Sequence, residues 1–198
     1  MTAFAHLTVS EEPRYQGAIF SVRTDQVTMS SGRTVSRDVV AAKGAVGVVA
    51  IDDVDRVVLI RQYRHAVGAV LWELPAGLRD VDGEDLVVGA ARELAEETDL
   101  TAARYDLLVD LHTSPGFTDE IIRIFLARDL VPVPDGDRHE RTDEEADLEV
   151  AWVDLDEAVA MIFRGDITNA AAVGGLLAAA KARDEGWATL RPVEFPEP

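Results

Sequence analysis

No cysteine occurs in the 198 residues, which excludes disulfides, thiolate metal sites and cysteine nucleophiles. Basic residues are scarce: 19 Lys and Arg stand against 37 Asp and Glu, a net charge of -18. That balance argues against nonspecific binding to nucleic acid or to an anionic membrane, and it means that an anionic substrate would need cations as intermediaries. No apolar run is long enough to span a bilayer, and the N-terminal MTAFAHLTVSEEPRY lacks a basic region followed by an apolar one, so a cytoplasmic protein is expected. The four histidines show no ligand spacing to one another, which leaves no zinc site. Repeats and low-complexity tracts are also missing. What is present is 47% hydrophobic residue content, enough for one compact domain with an appended N-terminal arm.

Along the chain, AIFSVRTDQVTM and RTVSRDVV flank the turn-like SSG at 30–32 and predict an antiparallel hairpin within residues 14–40. GAVGVVAI (44–51) and RVVLIRQYRH (56–65) are strand-like around DDVD, and LWELPAGL adds an extended segment ended by Pro75 and Gly77. Helical spacing runs from Glu84 to about Thr98, after which RYDLLVDLHT, IIRIFLARDL and EVAWVDL return to strand. Asp154 or Asp156 can cap a helix reaching Phe163, and NAAAVGGLLAAAKARDEG predicts another helix with Gly186 as its stop. The fold class is α/β in mixed layers (α+β). Two stretches break the pattern: TSPGFTDE (113–120), which joins two strands through Pro115 and Gly116, and PVPDGDRHERTDEEADLE (132–149), a loop with eight acidic residues.

The helix AARELAEETDL places Glu93, Glu96 and Glu97 within one narrow arc at roughly 100° per residue, while Val87, Ala91 and Leu94 turn elsewhere. Taken alone, three glutamates on a helix more often mark a solvated face. Facing a second acidic loop, they also suit a hard divalent cation, magnesium or manganese, which takes oxygen ligands together with substrate phosphate oxygens. Gly89, one turn before Glu93, leaves room for close approach.

The order of residues favours the metal reading. Gly77, Glu84 and RELAEETDL resemble the Nudix box, G-x5-E-x7-R-E-U-x-E-E-x-G-U with U aliphatic. Two departures stand out. Gly77 and Glu84 are separated by six residues rather than five, and Asp99 replaces the box glycine, a position where Asp tolerates the left-handed conformation better than most. Beyond the box, QYRH, WELPAGL and SPGFTDE are similar to the ADP-ribose pyrophosphatase branch, which is marked by a proline about sixteen positions past the box glycine; Pro115 lies sixteen past Asp99.

This resemblance implies a Nudix-like mixed β-sheet sandwiched between helices at residues 41–198, preceded by an antiparallel β arm at 1–40 used for dimerisation. It implies Glu93 and Glu97 as metal ligands, Glu96 as a third and the carbonyl of Ala76 as a further oxygen, with magnesium as the cofactor and manganese able to replace it. Arg92 would orient the glutamates. Glu84, which helical phase puts opposite Glu93, would support them from the helix start. Within TDEEADL the catalytic base is Glu145, with Glu144 the alternative, while Asp143 and Asp147 are solvated charges. Arg64 is the expected phosphate clamp, although an ordinary surface arginine fits the same strand position, and His65 is structural. Pro115 and Gly116 would shape the substrate loop, and Ile19 and Phe20 would cover an adenine. The implied reaction is Mg-dependent hydrolysis of ADP-ribose to AMP and ribose 5-phosphate by a homodimer. Alternatives are hydrolysis of another nucleoside diphosphate sugar and a catalytically silent Nudix-fold sensor of ADP-ribose.

Overall fold

The structure, a computed structural model, describes residues 6–141 and 147–198. The chain divides into two compact units, Met1–Gly44 with His112–Ile121, and Ala45–Leu111 with Ile122–Pro198.

The first unit is a three-stranded antiparallel sheet ordered β1 (Leu7–Gln16), β2 (Phe20–Thr28) and β3 (Thr34–Ala42). The β2–β3 hairpin forms where the alternation predicts it, in unbroken register from Phe20 opposite Ala42 to Thr28 opposite Thr34. Gly32 supplies the positive φ of 83° that the connecting turn requires. β1 is an addition to the expected hairpin. Its SEEP stretch reads as irregular, yet an edge strand tolerates Pro13, and the register slips beside that proline and between Thr8 and Ser10. All ten residues of β1 are exposed. The loop after His112 docks on the free edge of β3: the Val40 N–H donates to the Phe117 carbonyl (2.7 Å), and the Ala42 N–H donates to Asp119 Oδ1 (3.0 Å).

In the second unit, β4 (Ala45–Ala50) pairs antiparallel with β7 (Ala76–Leu78) and parallel with β9 (Ile121–Pro132), and β8 (Leu100–His112) completes the sheet in the order β7-β4-β9-β8. A second sheet runs β10 (Glu149–Asp154), β5 (Arg56–Arg64), β6 (Ala69–Glu73). Because side chains alternate along a strand, Val49 and Ile51 of the β4 segment and Ile124 and Leu126 of β9 face one side. There they meet Leu155 and Ala158 of α2 (Leu155–Arg164) and Ala172, Leu176 and Ala179 of α3 (Ala170–Asp184). Val46, Val48, Ala50, Phe125 and Ala127 face the other, against Ala90 and Leu94 of α1 (Leu86–Thr98). The sheet is thus sandwiched between helices. Gly175 explains the unusual GG inside α3, since a Cβ there would lie 2.7 Å from Leu74 Cδ1 and 3.2 Å from Val49 Cγ2.

The predicted cap at Asp154 forms, and Asn169 supplies a further one at the start of α3. Asp154 accepts from the N–H groups of Asp156 and Glu157, and Asn169 accepts from Ala172 N–H. α1 starts at Leu86, two residues later than predicted, and ends on Asp99 in the left-handed region (φ 56°, ψ 33°). Among the described residues no helix is long and apolar enough to cross a membrane.

Candidate active site

α1 buries two kinds of residue on one side. Ala90 and Leu94 enter the core, while the neighbouring arc carries Glu93 and Glu97, only 8% and 5% exposed. Two buried carboxylates on one helix are costly unless something holds them. For Glu97 the partner is β7, where the Ala76 N–H donates to Oε2 at 2.9 Å. For Glu93 the space comes from Gly77: a Cβ at that position would overlap the Glu93 carboxylate. The box glycine is therefore a cradle for a box glutamate.

Arg92 gathers the remaining charges. Its Nη1 lies 2.5 Å from Glu93 Oε1 and 3.2 Å from Glu96 Oε2, while Nε and Nη2 donate to the two oxygens of Glu84 at 3.3 and 3.2 Å. This corrects the helical-phase placement of Glu84. The residue precedes α1, so the helical rotation does not apply to it, and it joins the same cluster as Glu93; a Cβ at Gly89 would stand 2.8 Å from its Oε2. Burial pushes the Glu93 carboxyl above its ordinary value, with the Arg92 charge and hydrogen bond pulling against it. Arg92 is held above the usual range, chiefly by its hydrogen bond to Glu84. One guanidinium thus faces three carboxylates, and negative charge stays in excess.

Among the described residues no three His, Asp or Glu side chains gather in an arrangement that would hold a metal ion, and Arg92 stands among the carboxylate oxygens of Glu93 and Glu96. The donor chemistry nevertheless fits a hard divalent cation: buried carboxylate oxygens in excess of their counter-charge, in a cradle that a single methyl group would fill.

On the second sheet Arg64 grips Glu73, Nε to Oε1 at 3.0 Å and Nη2 to Oε2 at 2.6 Å. Glu73 is 3% exposed and had not stood out in the sequence; the available signal was a lone carboxylate between Trp72 and Leu74, which burial obliges to find a cation. Arg141 was likewise unmarked, and it bonds the end of α1. Ile19, Phe20, Pro115 and Gly116 all fall in the first unit. There Ile19 is exposed, and the Phe20 ring tilts at 41° against Tyr15, with centroids 5.8 Å apart. Glu144 and Glu145 lie outside the described residues.

The NUDIX domain model matches residues 42–172. The chain belongs to the Nudix family. Within it, this Nudix chain is 46% identical over 187 residues to the ADP-ribose pyrophosphatase of Mycobacterium tuberculosis, covering 94% of this chain and 88% of that protein. It is 30% identical to the ADP-ribose pyrophosphatase of Bacillus subtilis, over 86% and 90% of the two chains. A solved structure of an ADP compounds hydrolase matches with a TM-score of 0.75 at 25% identity, covering 91% of this chain and 96% of that one. Nudix hydrolases generally use divalent metals, which agrees with the excess of carboxylate in this Nudix site.

Proposed function

We propose that this Nudix hydrolase splits the pyrophosphate bond of ADP-ribose, with magnesium as its metal, to give AMP and ribose 5-phosphate. The observation that carries the reading is the Gly77 cradle around Glu93, with Arg92 ordering Glu84, Glu93 and Glu96 beside it. The two ADP-ribose pyrophosphatase relatives support the substrate.

Glu93 and Glu97, with Glu96 and the Ala76 carbonyl, would hold magnesium, which when bound neutralises diphosphate charge and activates water. Arg92 fixes the carboxylates in place through charge-assisted hydrogen bonds. Arg64, oriented by Glu73 through Nε and Nη2, would clamp a phosphate. Glu145, or Glu144, accepts the proton of the attacking water as the new P–O bond forms and the bridging P–O bond breaks. Ile19 and Phe20 present an apolar surface to adenine, and the Pro115–Gly116 loop belongs to the same unit. The N-terminal sheet, one of whose strands is exposed along its whole length, is the surface through which two copies associate.

The test is product analysis after incubation with ADP-ribose and magnesium, run beside ADP-glucose and GDP-mannose. AMP and ribose 5-phosphate as the fastest-formed products are expected. A preference for another sugar moves the substrate assignment, and tight binding of ADP-ribose without turnover reverts the chain to a sensor.

A further inference from the structure

Asp99 is held in three ways. Its N–H donates to the Ala95 carbonyl (3.1 Å), its carbonyl accepts the Val133 N–H (2.8 Å), and its Oδ2 accepts Arg141 Nη2 (2.8 Å). Arg141 Nε also donates to the Glu96 carbonyl at 2.9 Å, one of the last carbonyls of α1 and beyond the reach of the intrahelical ladder. The segment from Val133 to Arg141 therefore starts and ends on the same residue. Between that segment and α1 lies a cavity of about 400 Å³ lined by Arg92, Ala95, Glu96, Arg138, His139 and Glu140. Arg92 and Glu96 belong to this cavity and to the carboxylate cluster alike.

Glycine, which the box pattern places at this position, would adopt a φ of 56° with less strain and keep both backbone bonds. It would have no carboxylate to offer Arg141. A negative side chain at a helix C-terminus is also unfavourable to the helix dipole unless a cation answers it, and Arg141 does.

We propose that Asp99 and Arg141 are a positioning pair. They fasten both ends of the 133–141 segment, next in sequence to the acidic stretch read as carrying the base, to the end of α1, so that the cavity beside Glu96 keeps its shape. This rests on the reading of Glu145 or Glu144 as the base. Misplacing a catalytic group by about 1 Å can cost on the order of a hundredfold in rate, so a fastening with no substrate contact can govern turnover.

The experiment compares Asp99→Gly, Arg141→Ala, their double variant and Arg141→Lys with the wild type, and includes Glu144→Gln and Glu145→Gln. Expected for Asp99→Gly are an unchanged or raised Tm, a kcat lower by roughly tenfold to a hundredfold and a KM for ADP-ribose altered far less. Arg141→Ala should match it, the double variant should be no worse than either single one, and Arg141→Lys should recover part of the rate. Wild-type kcat in Asp99→Gly, or losses that add in the double variant, overturns the pair. If Asp99→Gly is unaffected while Glu144→Gln or Glu145→Gln is crippled, the pair fails and the base assignment stands. If both glutamine variants keep full activity, the base assignment falls and the pair falls with it.

Discussion

Glu73 is the buried partner and Arg64 the half-exposed one: their side chains are 4% and 42% accessible across a two-point ion pair. Removing the arginine strands a carboxylate in the interior. Breaking a fully buried pair costs about 3–5 kcal/mol, and solvent on the outer side of Arg64 lowers that to about 2 kcal/mol here. Arg64→Ala is expected to lower Tm by about 4–8 °C and to raise KM for ADP-ribose. Glu73→Gln separates the two effects, because it keeps a hydrogen-bonding partner while loosening the guanidinium. Its Tm should fall less and its KM should still rise; a wild-type KM in Glu73→Gln would dismiss Arg64 as an oriented clamp.

Gly77→Ala adds one methyl group where the Glu93 carboxylate lies, so the glutamate must leave its place. We expect kcat to fall by about two orders of magnitude, from the displacement of a group that reaction depends on. Gly89→Ala is the control. Its Cβ would approach only the far end of Glu84, and replacing a helix-interior glycine contributes up to about 1 kcal/mol of stability. That variant should be more stable and lose much less activity; equal activities in the two would refute the cradle.

Glu93 also links metal binding to stability. Its folded carboxyl value is raised by burial, so the folded chain binds the proton more tightly than the unfolded one. Metal-free stability therefore falls as pH rises from the ordinary 4.5 through the raised value. Glu93→Gln removes that cost at neutral pH and should melt no lower than the metal-free wild type. Added magnesium should raise the wild-type Tm by mass action but leave Glu93→Gln and Glu97→Gln nearly unmoved, with turnover down by orders of magnitude in both. Scanning fluorimetry with magnesium and with chelator checks this, and full activity in excess chelator would exclude a metal role.

β1 predicts association. Leu7, Val9 and Tyr15 are exposed on β1, and a small sheet is stabilised by covering an apolar face. Sedimentation at low micromolar concentration should show a homodimer. Val9→Asp combined with Tyr15→Asp should weaken it, and removing residues 1–40 should abolish both dimer and activity. A monomeric full-length chain with normal kinetics would remove the arm from the site.

Local chemistry was legible in the sequence, and long-range pairing was not. Helix α1, the cap at Asp154 and the left-handed Asp99 follow from periodicity and from residue preferences that act within a few positions. Glu84 was misplaced because helical phase was extended to a residue that precedes the helix. β1 was overlooked because Pro13 and two glutamates hide a strand whose edge position makes them tolerable. Glu73 needed the β5–β6 register, which seats Arg64 opposite Ala69 within reach of it, and Arg141 needed a contact spanning more than forty residues.

The central strand β4 pairs in parallel with β9, Ala45 opposite Ile122 and Ala50 opposite Ala127. During synthesis the strand GAVGVVA has only its antiparallel neighbour β7 to pair with until the whole of α1 and β8 have left the ribosome. Closure of the core therefore waits on a distant segment, and loop-closure entropy makes such pairing slow. Helix α1 is translated before the strand that completes its platform, so nascent chains halted ahead of residue 121 should be open to protease and dependent on chaperones.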